Sequence, residues 1–97
     1  MTKRPESIAI LGIEFQIQYT DDLPEGHYGL CEGWDRVIKI DKKLKGANLE
    51  LTLMHEIFHA ILHVSGWSEK LGSKTEEGIV RALEHGLSPL FTFRKNR

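Results

Sequence analysis

The chain has little cysteine: Cys31 is the only one among its 97 residues. A single cysteine cannot form an internal disulfide, which is typical of proteins in a reducing compartment. We interpret Cys31 as a small buried hydrophobe rather than as a thiolate ligand. The first residues also lack the apolar run of a signal peptide. We therefore expect a cytoplasmic protein.

An excess of charge of one sign is missing as well. Lys and Arg number 13 and Asp and Glu number 14, so the formal net charge is −1. Without a basic stripe, nucleic acid is not expected as a partner. No segment approaches about 18 uncharged apolar residues, so no contact with a membrane is expected. The length predicts a single domain, residues 1–97, with one hydrophobic core.

The first half of the chain has the period-two pattern of strands. Apolar residues alternate with polar ones after Gly12, which is expected to mark a turn within residues 7–20. Residues 27–31 and 37–40 read as the arms of a hairpin whose tip is residues 32–35. This pattern predicts a small, mostly antiparallel sheet of three to four strands.

The second half predicts two helices. Asn48 is a plausible N-cap for a helix from Leu49 to about Ser65, which Gly66 would end. Residues 67–72 are expected to be a connection. Ser73 and Glu76 fit a capping box that opens a second helix, which Pro89 should weaken near residue 88. The predicted fold class is therefore α+β: the small sheet followed by two packed helices.

Residues 55–59 read His-Glu-Ile-Phe-His and are the most informative stretch of the chain. On a helix, His55 and His59 project from one face, and Glu56 lies beside them. Two imidazole ligands and one carboxylate that can move a proton are what a zinc peptidase needs. The pattern predicts His55 and His59 as metal ligands and Glu56 as the catalytic residue.

The surroundings of this pentad strengthen the interpretation. On a helical wheel, the polar groups fall in one sector roughly 100° wide, and apolar side chains cover the rest. Such a helix is expected to be buried, and a buried polar strip needs partners, of which a metal ion is one. The alternative is a strip of core histidines that donate to backbone carbonyls.

The third ligand is less certain from spacing. His63 shares the strip, but lies about 12 Å along the helix from His55, too far to share one ion through bonds of about 2.1 Å. Glu76 and Glu77 open the next helix. The helical wheel favours Glu76, whereas the capping box, which occupies Glu76 at the backbone, favours Glu77. These two arguments leave the choice open.

The blocks around these residues resemble a known family. Residues 53–63, together with residues 76–83, look like the ImmA/IrrE family of metallopeptidases, and especially its small phage and prophage members. The resemblance implies a minimal zincin-like domain with a zinc-binding helix against a small sheet. It also implies a third ligand at a glutamate that opens the next helix and precedes a small residue. Glu77, followed by Gly78, fits that pattern, whereas Arg81 stands where larger members carry a bulky aromatic.

The resemblance implies a metallo-endopeptidase with one Zn²⁺ ion held by His55, His59 and Glu77. Its expected substrate is a protein or peptide in a bacterial or phage-infected cell. A zinc-bound water would attack the peptide bond with Glu56 as the general base. The candidate oxyanion donors are His27, Tyr28, His63 and His85. The alternative function is a non-catalytic, zinc-stabilised module that binds another protein. The oligomeric state does not follow from the sequence.

Overall fold

The fold is α+β, as predicted, with four strands preceding three helices. The computed structural model describes the backbone of residues 4–95 and the side chains of residues 4–90. In chain order the elements are β1 (Ser7–Ile10), β2 (Ile13–Thr20), β3 (Gly29–Glu32), β4 (Val37–Asp41), α1 (Gly46–Val64), α2 (Trp67–Leu71) and α3 (Ser73–Lys95).

The four strands form one sheet in the order β1-β2-β4-β3. The pairs β1–β2 and β3–β4 are antiparallel, and only β2 and β4 run parallel. This arrangement confirms the predicted mostly antiparallel sheet. It also leaves β3 at one edge of the sheet, beside α1.

One face of the sheet carries the core. The alternation predicted for β2 places its apolar side chains against α1 and exposes Glu14, Gln16 and Gln18 on the other face. The buried cluster draws on β1, β2, β4 and α1 and consists of Ile10, Phe15, Ile17, Ile38, Ile40 and Ala60. Because this core lies directly beneath α1, it fixes the helix that carries the pentad.

Helix α1 begins earlier than predicted. It starts at Gly46, with Lys45 as an extended N-cap residue, so the prediction of Asn48 as the N-cap is wrong. Gly46 has a positive φ of 57°, a conformation open to glycine that lets the chain turn sooner into the helix. After the helix, Gly66 adopts the expected left-handed conformation, with φ 86°.

The expectation that α1 is fully buried is also wrong. Its fully buried residues are Glu56 and Ala60, and most of its other side chains are partly exposed. The helix packs against the sheet on one side and against α3 on another. The sheet, α3 and the short segment 67–71 do not surround it, and the sector with the polar strip borders a cleft.

The segment after α1 differs from the prediction at two points. The expected connection contains the short helix α2, and Gly72, with φ 78°, separates it from α3. Helix α3 continues through Pro89 rather than weakening before it. Pro89 has no N–H to donate to the carbonyl of His85, but the Ser88 hydroxyl donates to that carbonyl at 3.1 Å.

Strand β3 and helix α1 come unusually close at Gly29. A Cβ atom built on Gly29 would lie 2.9 Å from Thr52 Cγ2 and 3.0 Å from Glu56 Oε2. A side chain at residue 29 would overlap the side chains of Thr52 and Glu56 unless these side chains or the backbone shifted. The absence of a side chain at residue 29 therefore sets how closely β3 covers Glu56.

Substituting Gly29 tests this contact. Gly29→Ala is expected to lower the free energy of unfolding by about 1–3 kcal/mol, because the added methyl group overpacks the β3–α1 junction. Urea denaturation followed by circular dichroism measures this change. The matched control is Gly86→Ala in α3, where a Cβ meets no atom within 4 Å. That variant should gain about 0.5–1 kcal/mol from helix propensity. Equal stability of the two variants would contradict the close approach.

Candidate metal centre

Helices α1 and α3 bring His55, His59 and Glu77 together. One turn of α1 separates the two imidazoles, whose ring centroids lie 5.1 Å apart. Glu77 Oε1 lies 2.8 Å from His59 Nε2 and 3.3 Å from His55 Nε2. One ligand atom from each residue lies within 4.8 Å of the other two. This cluster could hold a metal ion.

The spacing suits a small tetrahedral ion. Two ligands bonded at about 2.1 Å to a tetrahedral centre lie about 3.4 Å from each other. The 3.3 Å from Glu77 Oε1 to His55 Nε2 is close to that value, whereas the 2.8 Å to His59 Nε2 is a hydrogen-bond distance. Three protein ligands would leave a fourth position open, as in catalytic rather than structural zinc sites.

Two further carboxylates of α3 contact the Nδ1 atoms of the two imidazoles, on the side of each ring away from Glu77. Glu84 Oε1 lies 2.9 Å from His55 Nδ1, and Glu76 Oε2 lies 2.5 Å from His59 Nδ1. An ionised carboxylate only accepts hydrogen bonds, so each Nδ1 is the donor in these two contacts. His59 Nε2 also donates to Glu77 Oε1, and a metal ion bound there would take the place of that proton. Such carboxylate–imidazole pairs commonly orient histidine ligands of metals.

The structure separates the roles of the two adjacent glutamates. Glu77 joins the two Nε2 atoms, whereas Glu76 bonds His59 on the opposite side of its ring. The predicted capping box is wrong, because the Glu76 carboxylate is engaged by His59 rather than by the backbone of Ser73. Contact between α1 and α3 thus outweighs the local capping interaction.

The electrostatics of the cluster follow from these contacts. Burial would lower the pKa of His59, but its hydrogen bonds with Glu76 and Glu77 outweigh burial and raise that pKa. Burial would raise the pKa of Glu77, but hydrogen bonds with His59 and Arg81 outweigh it and lower that pKa. Arg81 Nε donates to Glu77 Oε2 at 3.1 Å. Glu77 therefore stays ionised, with Oε1 directed at the imidazoles.

Glu56 differs from the other carboxylates because it is buried. It is 6% exposed, and it is the sole buried charged residue among those the structure describes. Burial raises its pKa, while the neighbouring imidazoles of His55 and His59 act in the opposite direction. A raised pKa makes a carboxylate a stronger proton acceptor.

The cluster faces an open cleft of about 850 Å³ between β3, α1 and α3. All five histidines of the chain line it, so the four candidate oxyanion donors, which include Tyr28, share the cleft with the cluster. His63 lies outside the cluster, with its ring edge-on to Trp34 at 4.9 Å between centroids. Cys31 also lines the cleft.

Sequence reasoning missed Glu84 and Gly29. Glu84 follows Glu77 by seven residues, or two helical turns, and therefore lies on the same face of α3. That spacing was a usable signal once Glu77 was a candidate ligand. Gly29 carried no comparable signal, because its importance depends on how closely β3 and α1 pack.

Comparisons with known proteins add no identification. The chain matches no protein-family model, no curated protein and no solved structure. Within the part of the chain that the structure describes, none of the helices has both the length and the apolarity to cross a membrane.

The environment of Cys31 predicts a pH effect on stability. Burial, reinforced by nearby carboxylates, raises the pKa of its thiol to about 12. In the unfolded chain the thiol ionises at about pH 8.5, whereas in the folded chain it stays neutral up to a higher pH. Below about pH 8.5 ionisation therefore leaves the stability unchanged, and as the pH rises towards the folded pKa it increasingly favours the unfolded chain. From about pH 7.5 to 9.5 the free energy of unfolding should fall by about 1 kcal/mol more than in Cys31→Ala. Denaturant titrations at both pH values measure the change in the free energy of unfolding. An equal decrease in the parent chain and in Cys31→Ala would contradict the burial of the Cys31 thiol.

The carboxylates behind the imidazoles should control metal affinity. Glu84→Gln is expected to weaken Zn²⁺ binding about 10–100-fold, because an amide holds the Nδ1–H of His55 less strongly than a carboxylate. Glu77→Gln should weaken it more, since it removes a ligand. Competition with a chromophoric chelator measures both affinities. The exposed Glu14→Gln, on the far face of the sheet, is the control and should bind like the parent chain. Equal affinity of Glu84→Gln and the parent would rule out this role.

Proposed function

We propose that this chain is a zinc-dependent metallo-endopeptidase that hydrolyses peptide bonds of a protein substrate. The observation that carries the proposal is the buried Glu56 beside the His55–His59–Glu77 cluster, at the wall of an open cleft. A buried carboxylate with a raised pKa is costly to retain, and general acid–base chemistry is a role that needs one.

Zinc is the ion that the donor set favours. Two imidazole nitrogens and one carboxylate oxygen are a common catalytic zinc set, and each imidazole has the carboxylate partner that such sites use. Bound zinc supplies a Lewis acid that polarises the scissile carbonyl and acidifies water.

The residues of the chain account for the proton transfers. Glu56 accepts a proton from the attacking water at a carboxylate oxygen and then donates it to the leaving amine. Its burial and raised pKa suit it to both steps. Arg81 holds Glu77 by its second oxygen, which keeps the first oxygen turned towards the imidazoles.

The edge strand offers a means of presenting the substrate. β3 is the last strand of the sheet and pairs with β4 on one side only among the described strands. An extended peptide that adds to such an edge gains main-chain hydrogen bonds. Because Gly29 lies against Glu56, a peptide on this edge would pass close to the proposed general base.

The proposal includes membership of the ImmA/IrrE family and a cytoplasmic substrate from a phage or its host. Its support is the pentad at residues 55–59 together with the position of Glu77, which precedes Gly78 and faces both imidazoles. The competing function, a zinc-stabilised binding module, leaves the buried Glu56 without a purpose, since a structural zinc site needs no proton acceptor.

Replacing Glu56 separates the two functions. Glu56→Gln keeps the shape and polarity of the side chain but removes the base, so kcat should fall about 10²–10⁴-fold while zinc remains bound. The assay measures hydrolysis of fluorescently labelled casein by the zinc-loaded chain, with zinc content determined by mass spectrometry.

The matched control is Glu50→Gln, an exposed glutamate of the same helix, which should keep full activity. Stoichiometric zinc without hydrolysis in the parent chain would support the binding module instead. Equal rates for Glu56→Gln and the parent would remove Glu56 from the mechanism.

A further inference from the structure

The wall of the cleft that α3 forms carries a guanidinium beside an imidazole. Arg81 is the only Lys or Arg that lines the cleft within the described part of the chain. His85 follows it by four residues, about one helical turn, and lines the cleft as well. The two side chains are therefore neighbours on one face of α3. We call Arg81 and His85 the donor pair.

The guanidinium of Arg81 uses only part of its hydrogen-bonding capacity. Its Nε donates to Glu77 Oε2 at 3.1 Å, and no further hydrogen bond or ion pair of Arg81 is present among the described residues. The two Nη atoms are free to donate and form the outer fork of the guanidinium. Because the Arg81 side chain is 67% exposed, this fork is accessible from the cleft.

The carboxylates that line the cleft have partners already or are buried. Glu76 and Glu84 contact the imidazoles of the cluster, and their side chains are only 13% and 24% exposed. Glu77 contacts both imidazoles and Arg81, and Glu56 is buried. The guanidinium is more exposed than any of these four carboxylates, so it is the charged group that a ligand in the cleft meets first. A bound metal ion would offset the charge of Glu77 and leave the charge of Arg81 less compensated.

The donor pair lies close to the metal cluster. Arg81 Nε and the two imidazoles contact different oxygens of the same carboxylate, that of Glu77. The guanidinium therefore lies about 5–7 Å from the position that a metal ion would take between its ligands. An extended peptide advances about 3.3 Å per residue, so this distance corresponds to about two residues of a bound substrate.

We propose that Arg81 and His85 bind a carboxylate of the substrate that lies one or two residues from the scissile bond. This inference rests on the proposed peptidase function. A carboxylate matches the Nη fork with two parallel hydrogen bonds, and the His85 ring, one turn further along α3, can donate to the same group. The carboxylate belongs to an Asp or Glu side chain or to the C-terminus of a peptide, and the substrates of the test distinguish these two sources.

The first test compares substrates that differ in one functional group. Quenched-fluorescence peptides with amidated C-termini carry Glu, or its uncharged analogue Gln, at each of the two positions on either side of the bond that the zinc-loaded chain cleaves. At one of these positions kcat/KM should be about tenfold higher for Glu, mainly through a lower KM, because the contact is already made in the bound ground state. A second pair of peptides ends at these positions with a free carboxylate or an amide, which tests the C-terminal source.

Substitutions in α3 connect this preference to the donor pair. In Arg81→Gln the ratio of kcat/KM between the Glu and Gln peptides should fall below about threefold, whereas a mere disturbance of Glu77 would slow both peptides alike. Arg81→Lys should keep only part of the ratio, because an ammonium lacks the fork. His85→Ala leaves the contact between Arg81 and Glu77 in place and should lower the ratio about two- to threefold. The control is Lys74→Gln, which removes an exposed cation of the same helix outside the cleft and should keep the full ratio.

A second measurement follows binding without turnover. With Glu56→Gln present to prevent cleavage, the fluorescence anisotropy of labelled peptides reports their affinity for the zinc-loaded chain. The preferred carboxylate peptide should bind about tenfold more tightly than its uncharged counterpart, and the addition of Arg81→Gln should abolish this difference.

The outcomes separate the carboxylate site from the proposed function. Equal kcat/KM values within every pair of peptides, or a preference that survives Arg81→Gln, overturn the carboxylate site and leave the peptidase standing. A preference for the free C-terminus alone supports the site and identifies the terminal carboxylate as its ligand. If no peptide is cleaved, the proposed function fails, and anisotropy decides the site by itself. Tighter binding of a carboxylate peptide that Arg81→Gln abolishes would then support the site, and equal or absent binding within each pair would overturn it.

Discussion

The contact between α1 and α3 is the interaction on which the site depends. Helix α1 supplies two imidazoles that would be costly to bury without partners, and α3 supplies a carboxylate for each Nδ1 atom. Because both Nδ1 atoms are held from behind, both Nε2 atoms turn to the same oxygen of Glu77. The ligand cluster is therefore a consequence of how two helices dock, with the sheet acting as the support that fixes α1.

The sheet contributes through two close approaches at glycine. At Gly29 the edge strand lies against Glu56, and at Gly33 the hairpin tip lies against His63. Through these two contacts β3 packs alongside the polar strip of α1, from Glu56 to His63. At these two positions the cleft is bordered by backbone rather than by a side chain, and the approach at Gly29 helps to keep Glu56 out of bulk water.

Features with a short sequence period could be predicted, and features set by tertiary contact could not. The alternation in β2 predicted a strand of the sheet, and with it the fold class. The four-residue spacing of His55 and His59 predicted that both imidazoles lie on one face of α1. The capping box and the helical wheel are both local arguments and left the third ligand open between Glu76 and Glu77, so the prediction of Glu77 came from the resemblance. The docking of α3 places Glu77 at both Nε2 atoms and Glu76 at His59 Nδ1. Asn48 failed as an N-cap for a local reason instead: the permissive backbone of Gly46 let the helix begin earlier.

The balance of charge links the site to the stability of the domain. Four carboxylates, those of Glu56, Glu76, Glu77 and Glu84, face two imidazoles and one guanidinium at the junction of α1 and α3. Burial is the main cause of the raised pKa of Glu56, to which the charge of Glu77 adds, and burial of His59 is outweighed by its hydrogen bonds with Glu76 and Glu77, which raise its pKa. A divalent cation between the two helices would offset the excess negative charge and join α1 to α3 through their own ligands. In a domain with a core of only a few buried side chains, the free energy of metal binding then becomes part of the free energy of folding. The same three residues would in that way join the two helices and hold the ion in place.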